Sequence, residues 1–282
     1  MSLVDIYFYW HNKLLCRKSG FVIPVLRVLT LLYFMREFGI LIMSEMRRML
    51  SFVRRAVDDY DMIDDGDVIA VGISGGKDSL TLLEVLAEMR IFYPKKYDVV
   101  AITVDMGFEG SDYSEVEEFC RRIGVKYIIE KTDIAKIVFD IRKESNPCSL
   151  CAKMRRGSLH SAAQAAGCNK VALGHHFDDA VETFMMNMFF EGRLGCFSPK
   201  SYLSNRKLGL IRPLLYATEK DVLYYTNKRK LPVVKSLCPE DHATERENMK
   251  KLLLELEKNN KGLRHRIFHA MCKGNIDGFK EK

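Results

Sequence analysis

The chain has 282 residues, of which 48% are hydrophobic and 29% charged, and its formal net charge is +7. These proportions exclude wholesale disorder, collagen and an extended coiled coil, and the length suffices for one large domain with appendages and a sizeable core. The positive excess permits a polyanionic partner without requiring one.

Eight cysteines are spread along the chain: Cys16, Cys120, Cys148, Cys151, Cys168, Cys196, Cys238 and Cys272. They are too sparse for a disulfide-stapled secreted domain, and no signal peptide with a small-residue cleavage site is evident. The expected compartment is a reducing cytoplasm, where spaced cysteines more often hold metal than pair with each other. Residues 1–45 are rich in Phe, Tyr, Leu and Ile. The apolar run Phe21 to Met43 is broken by Pro24, Arg27, Arg36 and Glu37. A charge at mid-bilayer costs roughly 2.5–3.5 kcal/mol, so a membrane span is disfavoured. An interfacial or partner-binding helix is an alternative. The favoured expectation is that translation starts at Met43 or Met46, because everything that carries chemistry comes later.

From Met46 to Asp61, Met49, Phe52, Val53, Val57 and Tyr60 recur at helical spacing between arginines. The β-branched run Asp67 to Ile73 predicts a buried parallel strand. It ends in Ser74-Gly75-Gly76-Lys77-Asp78-Ser79, and Leu80 to Met89 reads as a helix. A glycine turn between strand and helix offers free amides as an anion cradle. Ser74 and Ser79 add hydroxyl donors and Lys77 a charge. The Walker pattern is absent. Tyr97 to Val104 predicts a second strand, with Asp105 at the end where open α/β sheets bind ligands; a turn cap is the competing role for Asp105. Val116 to Ile123 predicts a helix and Lys126 to Glu130 a strand.

Cys148 and Cys151 form a C-x-x-C at a predicted loop-to-helix junction, within reach of one metal centre. Arg155, Arg156 and the helix N-terminus are expected to lower the thiol pKa values. A thioredoxin-type dithiol is disfavoured, because the motif does not open the helix after the first strand. A structural zinc site wants a second C-x-x-C, and there is none. A third cysteine, Cys238, follows a predicted strand ending near Val234. Three thiolates on an iron–sulfur cubane leave one iron open. The remaining cysteines read as small buried hydrophobes. Lys170 to Gly174 predicts a strand, followed by His175-His176-Phe177-Asp178-Asp179 opening a helix. Asp178 and Asp179 are either first-turn caps or groups that hold Mg²⁺ through water or steer the reaction. His175 is either an α-phosphate contact or a histidine bonded to backbone.

The hexapeptide Ser74 to Ser79 resembles the SGGxDS signature of the PP-loop ATP pyrophosphatases. Further on come Pro147-Cys148-Ser-Leu-Cys151 with Arg155-Arg156-Gly, Leu173-Gly-His-His-x-Asp-Asp-x-x-Glu-Thr, and Met188-Phe-Phe-x-Gly192. With Ile211-Arg212-Pro213-Leu214 and Glu219-Lys220-Asp221, these resemble the TtcA group of tRNA 2-thiocytidine synthetases, over about Met46 to Lys250. The resemblance implies an α/β, doubly wound parallel sheet of the adenine nucleotide alpha-hydrolase-like (HUP/PP-loop) kind, with helical N- and C-terminal appendages. It implies domains at 46–240 for catalysis and 241–282 for the C-terminal helices. The implied activity is ATP-dependent thiolation of tRNA, with a base oxygen adenylated, pyrophosphate released and sulfur substituted. Lys77, Asp78, Asp179 and Arg156 would be catalytic. Ser74, Gly75, Gly76, Lys77, Asp78, Ser79, Asp105, His175 and Asp178 would bind Mg-ATP. Cys148, Cys151 and Cys238 would hold a [4Fe–4S] cluster. The implied partners are tRNA and a sulfur donor (hydrosulfide or a persulfide carrier), with a homodimer left open and a membrane disfavoured.

Two departures stand out. The TtcA group carries a second C-x-x-C at its third cluster cysteine, whereas this chain has Cys238-Pro-Glu-Asp. TtuA relatives carry terminal zinc-ribbon pairs, absent here. The basic clusters Lys228-Arg229-Lys230, Lys250-Lys251 and Arg264-His265-Arg266, with Arg155 and Arg156, suggest a phosphate-neutralising RNA track. Ala243 to Leu256 and Lys261 to Met271 predict helices, and Gly274 to Lys282 a frayed end. Two other functions compete. A lysidine-synthetase-like enzyme would leave the cysteine trio without a role. A noncatalytic metal or redox sensor that binds RNA would leave the phosphate loop and the Asp-Asp pair without one.

Overall fold

The computed structural model describes residues 44–142, 147–234, 237–238 and 245–281. The expectations for residues 1–43 lie outside the described residues. Glu45–Lys282 is one compact unit.

Helix α1 (44–59) leads into strand β1 (Asp67–Ile73), helix α2 (Lys77–Phe92) and strand β2 (Tyr97–Asp105). Both strands are buried on both sides over most of their length, as expected of parallel strands under helical layers. Helix α3 (Ser114–Arg122), strand β3 (Lys126–Lys131) and a π-helical turn (Lys136–Arg142) follow. Helix α4 (Pro147–Ala165) carries the C-x-x-C in its first turn. Next come β4 (Lys170–Ala172), α5 (Phe177–Phe190), β5 (Lys200–Leu203), β6 (Leu208–Ile211) and α6 (Glu219–Arg229). Helices α7 (Glu245–Asn259) and α8 (Leu263–Lys273) end the chain with a 3₁₀ turn, Ile276–Gly278.

The strand order is β3-β2-β1-β4-β6-β5. Five strands are parallel, and β5 pairs antiparallel with β6 at one edge. The chain winds outward from β1 to β3 and then returns to β4 on the other side of β1. The switch point, where α/β sheets bind ligands, thus falls between the carboxyl ends of β1 and β4. Alternate residues of β1 and β2 face two cores. Ile69, Val71, Ile73, Val99 and Ala101 join one with α1, α2, α3 and α5 to α8. Ala70, Val100, Ile102 and Val104 join the other with Leu159, Ala162 and Ala163 of α4.

Three findings differ from expectation. The β5–β6 hairpin carries no clear sequence signal: Lys200-Ser-Tyr-Leu203 is an edge strand with half-buried and exposed residues alternating. Leu231 to Val234 forms no strand; it crosses the phosphate loop, where the Val234 N–H donates to Gly75 O at 3.0 Å. The segment expected to fray is anchored, because Phe279 is fully buried.

Candidate active site

The loop after β1 is organised by its own hydroxyls. Ser79 Oγ donates to Gly76 O at 2.9 Å and accepts from Ser74 N at 3.2 Å, and Ser74 Oγ accepts from Gly76 N at 3.3 Å. Gly75 has φ +80°, and a Cβ there would lie 2.9 Å from Val234 Cβ, so conformation and crowding both demand glycine. Lys77 Nζ sits 3.2 Å from Asp78 and 3.3 Å from Glu219. Burial opposes its charge, but Asp78 and then Glu219 outweigh that and raise its pKa. Asp78 Oδ1 is buried without a hydrogen bond, 3.7 Å from His176 Nε2.

The end of β4 lies against this loop. A Cβ on Gly174 would stand 3.1 Å from the backbone of Asp78 and Ser79, so glycine permits the approach. Next to it, the His175 Nδ1 is buried with no partner. Burial pushes His175 down to about 4 against the opposing charge of Asp179, with Arg212 and Arg246 adding to the fall, leaving a neutral imidazole at neutral pH. His176 and Asp179 form a capping box on α5: Asp179 N donates to His176 Nδ1 at 3.3 Å, and His176 N donates to Asp179 Oδ2 at 2.9 Å. Asp179 Oδ1 also accepts from Arg246 at 3.2 Å. Asp178 is 2% exposed and accepts from Glu219 N at 2.7 Å and from Arg264. Loop, His175, Asp178 and Asp179 therefore share the β1/β4 crevice. Asp105 stands at the end of β2, where Oδ1 accepts from Gly107 N at 3.1 Å in a tight turn.

The cysteines come together across a long sequence gap. Cys148 is exposed, and Cys151 and Cys238 are half-buried. The Cys151 thiol is raised by burial first and then by the fields of Cys238 and Cys148; Arg155 only opposes this. The expected lowering by the arginines is thus corrected at Cys151. The same interaction places Cys238 and Cys148 each within range of Cys151. Val234, bonded to the phosphate loop, precedes Cys238 by four residues, a reach of at most about 14 Å. Among the described residues, no three His, Cys, Asp or Glu side chains surround a single-ion point. A cubane differs in holding its thiolates on separate irons, so a single-ion point is not what it requires. Arg156 is exposed on α4 and lies within Coulombic range of Arg212.

Arg246 and Glu219 carry no assigned role in the sequence, and Lys250 is expected there only as part of an RNA track. Arg246 on α7 reaches Asp179, Thr183 Oγ1 at 3.0 Å and Glu182 at 3.5 Å. Lys250 pairs with Glu219 at 2.7 Å. Only Glu219 had a local signal, Thr218-x-x-Asp221, which forms a capping box on α6. Part of the expected RNA track is internal. Arg229 pairs with buried Glu84 at 2.6 Å, and Arg264 with Asp178 and Glu257. A cavity of about 710 Å³ contains none of these residues; Asp64, Asp67, Lys170 and Lys200 line it at the amino ends of the strands.

A hydroxyl-braced glycine loop at the switch point of a doubly wound sheet defines an ATP-binding PP-loop domain. The family model described as PP-loop domain matches residues 46–257. A tRNA-cytidine(32) 2-sulfurtransferase of Geobacter sulfurreducens is 41% identical over 233 residues, covering 82% of this chain and 90% of that one. Its counterpart in Geotalea daltonii is 41% identical over 230 residues, covering 80% and 91%. The chain belongs to the PP-loop family, in its TtcA group of tRNA-cytidine 2-sulfurtransferases. The solved U34-tRNA thiolase NcsA from Methanococcus maripaludis, with its [4Fe-4S] cluster, aligns with TM-score 0.65 and 28% identity. That alignment covers 78% of this chain and 76% of that one. Among the described residues no helix is long and apolar enough to cross a membrane.

Proposed function

We propose that the chain is an ATP-using tRNA sulfurtransferase that converts a tRNA cytidine to 2-thiocytidine. The base carbonyl oxygen attacks the α-phosphorus of ATP, the α–β anhydride bond breaks and pyrophosphate leaves. A sulfur nucleophile then displaces AMP, which carries away the former carbonyl oxygen. Amides of the Ser74–Ser79 loop and Lys77 would hold the departing pyrophosphate, which is electrostatic stabilisation of developing charge. Asp78 and Asp179 would steer Mg²⁺, and the neutral His175 would face the α-phosphate. Cys148, Cys151 and Cys238 would hold a [4Fe–4S] cluster, whose chemistry is an iron without a protein ligand that carries inorganic sulfur.

The carrying observation is that Cys238 lies in the field of Cys151 while Val234, four residues before it, donates to Gly75 of the phosphate loop. The test is anaerobic purification, iron and sulfide assay, and incubation with Mg-ATP, sulfide and bulk tRNA, read by nucleoside mass spectrometry. The expected outcome is 2-thiocytidine with AMP and pyrophosphate. Cys238→Ala should lose thiolation and keep ATP affinity. Thiolation retained in that variant would remove the three-thiolate assignment.

A further inference from the structure

Arg212 follows β6 directly and stands at the carboxyl end of the sheet, beside β4. It is 8% exposed and makes no ion pair among the described residues. Its Nη1 donates to Ser198 O, and its guanidinium lies 4.8 Å from the Phe197 ring centroid. The Nε is buried with no partner. Among the described residues no hydrogen bond is made by Nη2, so there the Nε–Nη2 edge stands as an open two-donor fork. That edge matches two oxygens of a phosphate or carboxylate. The neighbouring Cys196 offers no countercharge, because burial pushes its thiol up to about 12 and keeps it neutral. Burial, with Arg156 contributing, lowers Arg212 itself to about 10, as expected for a guanidinium without an anion. The His175 ring, whose Nδ1 is unpartnered, also lies 4.8 Å from the Phe197 ring.

A buried cation without a countercharge is unfavourable, and an anionic ligand offsets that cost. We propose that Arg212, with Arg156 beside it, is an anion subsite that takes a phosphodiester of the tRNA strand at the nucleotide to be modified. The inference rests on the function proposed above and names how that site grips its polymer. Two observations favour RNA over ATP as the source of the phosphate. Arg212 sits two strand spacings from β1, roughly 10 Å, and the loop at β1 has its own amides and Lys77 for the pyrophosphate. Arg156 belongs to α4, the helix that carries Cys148 and Cys151, so the arginine pair flanks the thiol side of the crevice. An unstacked nucleotide entering there brings its own phosphate with it.

The test uses the full chain, purified anaerobically, as wild type, Arg212→Gln and Arg156→Gln. Fluorescence anisotropy with bulk tRNA across a KCl series gives the salt slope, and calorimetry gives the ATP affinity. Each variant is expected to bind tRNA about ten-fold more weakly and to lower the slope by about 0.7 to 0.9, with ATP affinity within about two-fold. Loss of ATP affinity with an unchanged tRNA slope assigns the fork to the α-phosphate of ATP and overturns the proposal. Unchanged slopes in both variants reduce Arg212 to a clamp on Ser198 and overturn it too. If Arg212→Gln melts far below wild type, the exposed Arg156 decides alone, and an unchanged slope there is fatal. Thiolation by the wild type, with both variants matching its tRNA affinity and salt slope, sinks the subsite and leaves the function standing.

Discussion

Glu182 is 6% exposed and shares Arg246 with Asp179. Burial first, and the Asp179 charge second, raise its pKa from 4.5 to about 7, with Arg246 opposing. Between those values the folded state keeps a proton that the unfolded chain has lost. The resulting stability is fully present below pH 4.5 and disappears as pH rises through about 7, and its size is of the order of 3 kcal/mol. His175 works in the opposite sense. Its pKa falls from 6.5 to about 4, so its contribution is lost as pH drops through that window. The two partly cancel, so the wild-type curve alone is not diagnostic. Glu182→Gln isolates one of them. Urea unfolding at pH 5 and pH 8 should show the variant gaining about 2 to 3 kcal/mol relative to wild type between the two. Parallel pH profiles for both proteins would mean that Glu182 ionises normally in the fold.

Helix α5 begins where the chemistry is, and its first turn serves two ends. Asp179 caps the helix through His176 N while its other oxygen meets Arg246. Asp179→Asn separates these duties, because an amide oxygen still accepts from His176 N but carries no charge. The cap is worth about 1 kcal/mol, so melting should move by only a few degrees. ATP turnover with tRNA should fall about hundred-fold or more if the carboxylate steers Mg-ATP. Turnover within three-fold of wild type would leave Asp179 as a cap alone. At this scale the sequence speaks clearly wherever a local pattern suffices. The strand Asp67–Ile73, the glycine loop and the start of α5 follow from burial runs and turn residues. Strand β5 does not, because an edge strand buries too little to leave a periodic signal. Leu231 to Val234 reads as a strand and is none, because Val234 packs on the phosphate loop rather than on a neighbouring strand. Arg246 had no signal at all, since its contacts lie 63 to 67 residues away.

At the scale of the molecule, one core joins the first described helix to the last residues. Met49 and Tyr60 belong to it, as do Met249, Phe268 and Phe279. The Gly, Asp and Lys residues around Phe279 look like a solvated tail in sequence; only the fold reveals the hole that its ring fills. That ring lies 5.5 Å from Phe268 and 6.5 Å from both Tyr60 and Phe197. Phe197 in turn stands beside His175 and Arg212, so the chain end supports the wall of the crevice. Phe279→Ala opens a cavity where no exposed surface can collapse into it, at a cost of about 3 to 5 kcal/mol. For a domain of this size that corresponds to a melting temperature lower by roughly 6 to 20 °C. Phe190→Ala removes the same ring from a position 60% exposed and should move melting by no more than about 2 °C. Scanning calorimetry of the two variants side by side decides the matter. Equal, small shifts would mean that the C-terminal turn lies loosely on the surface, and that Phe197 holds its place without it.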